Sequence, residues 1–106
     1  MFFDFPDDFK AVEPFPGWLV HIAAGQRLSF SRIVLQPNIE LPMHAHPNEQ
    51  MGIVLEGAME LTIGDETRLV KKGGVYLVPP NVTHGGSTRE EGALVLDAFS
   101  PPRDYK

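Results

Sequence analysis

Ten glycines and ten prolines are spread so evenly through 106 residues that apolar stretches run only about five to nine residues before a breaker. Proline removes a helical donor and glycine weakens any regular element, so this punctuation leaves no room for helices of ordinary length. From Trp18 onward the stretches are WLVHIAA before Gly25, LSFSRIVLQ before Pro37-Asn38, MGIVLEG with a turn at Gly57, and AMELTI before Gly64-Asp65. TRLVKK before Gly73-Gly74, VYLV before Pro79-Pro80 and ALVLDAF before Pro101-Pro102 complete the series. Several are rich in Val, Ile and Leu, and none holds a 3.6-residue period. Short strands at this spacing predict an all-β sandwich or barrel. Residues 1–17, broken by Pro6, Pro14, Pro16 and Gly17, have room for at most a short helical turn near residues 7–11. They read as an N-terminal arm to one domain spanning residues 18–106.

Side-chain alternation sharpens this reading. In AMELTI, Met59, Leu61 and Ile63 share one face while Glu60 and Thr62 share the other, the pattern of a half-buried strand. In QMGIVLE both faces are apolar, with Gln50, Gly52 and Val54 opposite Met51, Ile53 and Leu55. The second apolar face needs a partner, and a homodimer is expected. In ALVLDAF, Ala93, Val95, Asp97 and Phe99 share a face. An acid amid apolar neighbours is costly unless paired or used, or else it sits solvated near the strand end.

Composition closes off several functions. A formal net charge of −5 with no basic run excludes an ordinary nucleic-acid binder. The absence of cysteine removes disulfides, thiolate metal sites and cysteine nucleophiles. MFFDFPDDFK has acids where a signal peptide carries basic residues, and no apolar run reaches the roughly 18 residues of a membrane span. A soluble, cytoplasmic protein with no membrane partner is expected.

The stretch HAHPNEQ carries the chemistry. His44 and His46 are two apart, so on a strand they leave one face, and that parity continues to Gln50 rather than Glu49. His84 follows far later, where a barrel can bring it opposite the pair. Three imidazoles and one oxygen donor suit a divalent transition metal: Zn, Ni, Fe, Co or Mn. Taken alone, an HxH pair is also explained by two surface histidines, or by one core and one solvated histidine. His21, between Val20 and Ile22, reads as a structural or surface histidine.

Both flanks of HxH resemble the cupin motifs. The first, G-x5-H-x-H-x3-4-E-x6-G, is matched by Asn38, His44, His46, Gln50 and Gly57; the second, G-x5-P-x-G-x2-H-x3-N, by Gly73, Pro79, Asn81, His84 and Thr88. Fifteen residues separate them, the short spacing of small microbial cupins. The resemblance implies a single cupin jelly-roll barrel of the RmlC-like kind with a metal held by His44, His46, Gln50 and His84. Asn at 38 and 81 replaces glycine but tolerates the same left-handed backbone. Gln50 replaces the usual glutamate, so the site keeps the metal's full charge and favours holding an anion.

HAHPNEQMGIVLEG together with LDAFSPPRDY is similar to the pectin-degradation cupins that act on unsaturated uronates. That resemblance implies conversion of 4,5-unsaturated uronates from pectin or alginate breakdown into their open-chain keto form. It assigns catalytic roles to Asp97, Phe99 and Arg103, with a small anionic sugar as substrate and no organic cofactor. Burial would raise Asp97 toward the range of a general acid, and Arg103 becomes a carboxylate clamp if the tail folds over the barrel mouth. Arg32, inside FSRIVLQ, is a second candidate for that clamp, although a structural ion pair suits it better. The other readings open at this point are a cupin dioxygenase and a non-catalytic metal- or small-molecule-binding cupin.

Overall fold

Nine strands, all paired antiparallel, account for the regular structure of residues 1–105, the residues that the computed structural model describes. They are β1 (Ala11–Val12), β2 (Trp18–Ala24), β3 (Ser29–Leu35), β4 (Glu40–His44), β5 (Glu49–Ile63), β6 (Glu66–Lys71), β7 (Val75–Val78), β8 (His84–Ser87) and β9 (Ala93–Ser100). One curled sheet runs β1-β2-β3-β9-β5-β8-β4, with β6 and β7 also paired to β5. No helix occurs among the described residues, and the fold is an all-β jelly roll.

Strand β5 is the hinge of this architecture. The turn expected at Gly57 is absent, and one strand of 15 residues runs straight through it. Its register with β9 slips between Val54 and Glu56, and Gly57 takes a φ of 75°. The inward face therefore changes from Gln50, Gly52 and Val54 to Met59 and Leu61. Before the bulge β5 pairs with β7, and after it with β6 and β8; a bulge bends a strand in this way so that it can serve both halves of the curled sheet. A Cβ at Gly57 would overlap the Gly92 carbonyl, which with the positive φ explains the glycine.

Alternation places the rest. β9 buries Ala93, Val95, Asp97 and Phe99, while β3 buries Ser29, Ser31, Ile33 and Leu35. Val20, Val54, Val78 and Val95 are almost wholly out of solvent and, with Trp18, Ile33, Leu35, Met59 and Leu61, form the core. Strands β4 and β8 were not legible as strands, because ELPMH and HGGS carry proline, glycine and histidine where an apolar pattern would stand. The arm holds turn hydrogen bonds over residues 4–9 and then contributes β1, a strand the sequence did not suggest. Asn38 and Asn81 have φ of 57° and 66°, the left-handed backbone expected of them.

Candidate metal centre and its cavity

The three motif histidines converge. His44 ends β4 and His84 opens β8, and the two are register partners. His46 lies in the following loop, tied down where the Asn81 amide donates to its carbonyl at 2.8 Å. The ligand-capable atoms of His44, His46 and His84 all lie within 4.8 Å of one another. His46 and His84 are buried. Burial lowers the pKa of His84 to about 4, the Val82 carbonyl opposing the shift and His44, His46 and Arg103 adding to it. Burial first, then Arg103, lowers His46 as well.

The ring contacts suit a cation. His44 Nδ1 donates to the Pro42 carbonyl at 2.8 Å and His84 Nδ1 to the Val82 carbonyl at 2.9 Å. A carbonyl only accepts, so these contacts place the proton on Nδ1 and leave the Nε2 lone pair free. His84 Nε2 is buried and has no hydrogen-bond partner among the described residues. His46 faces an oxygen on both sides, with Nδ1 3.1 Å from the Asn48 carbonyl and Nε2 3.1 Å from Gln50 Oε1. A neutral imidazole has one N–H, so one of these contacts lacks a proton. A cation among the three Nε2 atoms and Gln50 Oε1 resolves both the orphan and the mismatch, as expected when backbone carbonyls orient metal-binding imidazoles. The residues present thus fit a divalent transition metal. Glu49, on the opposite face of β5, is exposed.

Beside the histidines, register builds a polar row across four strands. Ser31 on β3 pairs with Asp97 on β9, Asp97 with Gly52 on β5, and Gly52 with Tyr76 on β7. Because position 52 has no side chain, Tyr76 reaches over it, and its hydroxyl donates to Asp97 Oδ1 in a short hydrogen bond. Gln50 Nε2 donates to Asp97 Oδ2 at 3.1 Å. Asp97 is therefore not solvated at a strand end; it is 4 % exposed with both oxygens engaged. Burial lifts its carboxyl to about 7, the Tyr76 and Gln50 hydrogen bonds pulling the other way. Burial, then the nearby Asp97, raises Tyr76 well above the usual phenol value.

The buried carboxyl links stability to pH. A carboxyl whose pKa rises on folding stabilises the fold in full below its unfolded value and loses that contribution as pH rises through the folded value. At about 1.4 kcal/mol per pH unit, metal-free wild type should lose on the order of 4 kcal/mol relative to Asp97→Asn between about pH 4 and about pH 7. Above that the difference should level off. Denaturant unfolding of both proteins across this range checks it, and a pH-independent difference would contradict the raised carboxyl.

The cavity holding these groups opens to solvent at its mouth and is lined by His44, His46, Gln50, His84, Asp97 and Phe99. Phe99 is buried edge-on to His46, with ring centroids 5.8 Å apart. The C-terminal tail folds over the mouth. Asn48 Nδ2 donates to the carbonyls of Pro101 and Pro102 at 2.6 and 3.2 Å, the Arg103 amide to Ser29 Oγ at 3.0 Å, and the Tyr105 hydroxyl to Ser31 Oγ at 3.1 Å. Arg103 sits over the Tyr105 ring, 4.8 Å from its centroid, and lines both the cavity and an outer hollow shared with Phe15, Trp18 and His44. Arg32 lies elsewhere, on the opposite face of β3 from Ser31 and Ile33, and forms no ion pair among the described residues. His21 is on β2, away from the histidine cluster, with a buried Nδ1 that has no hydrogen-bond partner among the described residues.

Sequence reasoning missed Tyr76, Tyr105 and Asn48. Tyr76 carried a signal, its parity with Val78 in a short buried strand; Asn48 and Tyr105 act through tertiary contacts that no local pattern announces.

An antiparallel jelly roll with histidines converging from two strand ends defines a cupin. The family model described as the Cupin domain matches residues 31–99, and the chain belongs to that family. It is 38 % identical over 61 residues to the pectin degradation protein KdgF of Dickeya dadantii, covering 57 % of this chain and 56 % of that protein. It is 28 % identical over 79 residues to the H2HPP isomerase of Bacillus subtilis, covering 65 % of this chain and 34 % of that protein. The chain thus spans between about a third and a little over half the length of these curated relatives. Among solved structures, KdgF from Halomonas sp. superposes with a TM-score of 0.87 at 27 % identity, covering 98 % of this chain and 96 % of that one. An RmlC-like cupin from Shewanella frigidimarina gives 0.87 at 25 %, covering 96 % and 92 %.

Proposed function

We propose that this cupin is a metal-dependent isomerase that opens the ring of 4,5-unsaturated uronates and yields their open-chain keto form. The observation that carries this reading is one cavity combining an uncharged His–His–Gln–His donor set with Arg103 at its mouth, both suited to an anion. The similarity to two KdgF proteins supports pectin-derived substrates. His44, His46, Gln50 and His84 would hold Zn, Ni, Fe, Co or Mn, which when bound supplies Lewis-acid polarisation of substrate oxygens.

The reaction balances without redox chemistry. The hemiacetal C1–O5 bond breaks, the C1 hydroxyl loses its proton, and C1 becomes an aldehyde. The released C5 enolate becomes a ketone as C4 gains a proton. Asp97, a carboxyl titrating at about 7 on the cavity wall, takes the first proton and returns one. Phe99 packs against the sugar and excludes water. Arg103 pairs with the uronate carboxylate through its planar fork. Incubating the metal-loaded protein with the unsaturated uronate, and following loss of double-bond absorbance, tests the proposal.

Arg103→Ala should raise KM about tenfold or more while leaving kcat within about threefold, the pattern of lost substrate binding. Arg103→Lys should fall between the two. Steady-state kinetics decide, and an unchanged KM would remove Arg103 from the site.

The protein is further proposed to be a homodimer. Met51, Leu55, Val75 and Leu77 stand exposed on the outer face of β5 and β7, an apolar area that a second copy would cover. Light scattering after size exclusion should give twice the 11.8 kDa chain mass, and a monomer would contradict this.

A further inference from the structure

An amide has two unlike ends, and only its oxygen can serve a cation. The glutamate of the cupin motif has no such problem; Gln50 does. Something must keep its oxygen toward the histidines, and nothing about the side chain itself will do so.

We infer that Asp97 and Tyr76 are positioning residues that lock the Gln50 amide with its oxygen facing the histidine cluster. The inference rests on Gln50 being a metal donor, as proposed above. Gln50 Oε1 lies 3.1 Å from His46 Nε2 while its Nε2 donates to Asp97 Oδ2 at 3.1 Å, so the two ends are assigned by different partners. Flipping the amide would set its oxygen against a carboxylate oxygen and turn its NH2 toward the cation. Gln50, Asp97 and Tyr76 are all more than nine-tenths buried, with exposures of 8 %, 4 % and 8 %, so their mutual hydrogen bonds carry more weight than at an exposed surface.

Tyr76 acts one step further out. Its hydroxyl occupies Asp97 Oδ1 and prevents the carboxylate from rotating away from Gln50. The contact exists because Gly52 stands between the two strands; a Cβ there would overlap both Asp97 Oδ1 and Tyr76. The choice of amide at position 50 and acid at position 97 is therefore one choice. A glutamate at 50 would meet Asp97 carboxyl to carboxyl, and one of them would have to hold a proton.

The test is Co(II) binding to the metal-free protein, by calorimetry and visible absorption, in wild type, Gln50→Ala, Asp97→Asn, Asp97→Leu, Tyr76→Phe and the Gln50→Ala/Asp97→Leu double variant. Asp97→Asn should bind within about threefold of wild type, because its amide oxygen still accepts from Gln50 and its NH2 can donate to the Tyr76 oxygen. Asp97→Leu should lose about tenfold or more in affinity and acquire the absorption spectrum of Gln50→Ala. The double variant should bind no more weakly than Gln50→Ala alone, the mark of residues acting through one group. Tyr76→Phe should lose less, in the same direction. Asp97→Ala replaces the leucine variant if near-ultraviolet circular dichroism shows the latter unfolded.

Wild-type affinity in Asp97→Leu, or losses that multiply in the double variant, would overturn the lock while leaving the metal centre standing. Unchanged affinity in Tyr76→Phe would remove Tyr76 from it. Absence of histidine-dependent Co(II) binding in wild type would overturn the metal centre and the lock together.

Discussion

Alanine at His84 is expected to release the metal and abolish turnover together. His84 Nε2 is buried and relieved of its proton by the Val82 carbonyl contact at Nδ1, so this ring has a free lone pair and, among the described residues, no hydrogen-bond partner for it. Residues that merely orient a ligand cost about 10- to 100-fold in metal affinity when removed, so loss of a ligand should exceed about 100-fold. His44→Ala should behave alike, since the two rings sit side by side with centroids 4.3 Å apart. Elemental analysis of purified variants, paired with the uronate assay, decides. A His84→Ala protein with one metal per chain and wild-type turnover would mean the cluster is structural.

Asp97→Asn should separate the two properties. Asparagine keeps the shape of the side chain and preserves a hydrogen bond to Gln50, so metal content should match wild type. It cannot take up and return a proton near neutral pH, and turnover should fall by about 10²- to 10⁴-fold, the usual worth of a positioned acid or base. An Asp97→Asn protein of near-normal activity would remove Asp97 from the proton path. Loss of metal along with activity would show instead that the charge at position 97 sustains the centre.

Much of the fold could be read from the chain because its strands are short, alternating and cleanly punctuated. WLVHIAA forms β2 residue for residue, and the parity of Ala93, Val95, Asp97 and Phe99 is the inward face of β9. The misreadings have local causes. Gly57 looks like a turn because glycine serves turns and bulges equally, and only the pairing of β5 with partners on both sides tells them apart. β4 and β8 escaped because Pro42 and His44 in one, and His84, Gly85 and Gly86 in the other, stand where an apolar alternation would have marked them.

The candidate site divides the same way. His44, His46, Gln50 and His84 could be named because their spacing is constrained within two short motifs. The Tyr76–Asp97–Gln50 chain could not, because it depends on β7, β5 and β9 lying in one register with Gly52 between them. Thr88, which replaces a motif asparagine, is buried; its hydroxyl accepts from the Ile39 amide at 3.2 Å and donates to the Gln36 carbonyl at 2.6 Å. A hydroxyl there does the bridging by itself.

The most direct test of the central claim is turnover of 4,5-unsaturated galacturonate by the metal-loaded protein, followed as loss of the ring double-bond absorbance and by identifying the product. Rapid loss of the band is expected, with an open-chain keto product and suppression by chelation that is reversed on returning metal. A protein that carries one metal per chain yet consumes the uronate no faster than buffer alone would contradict it.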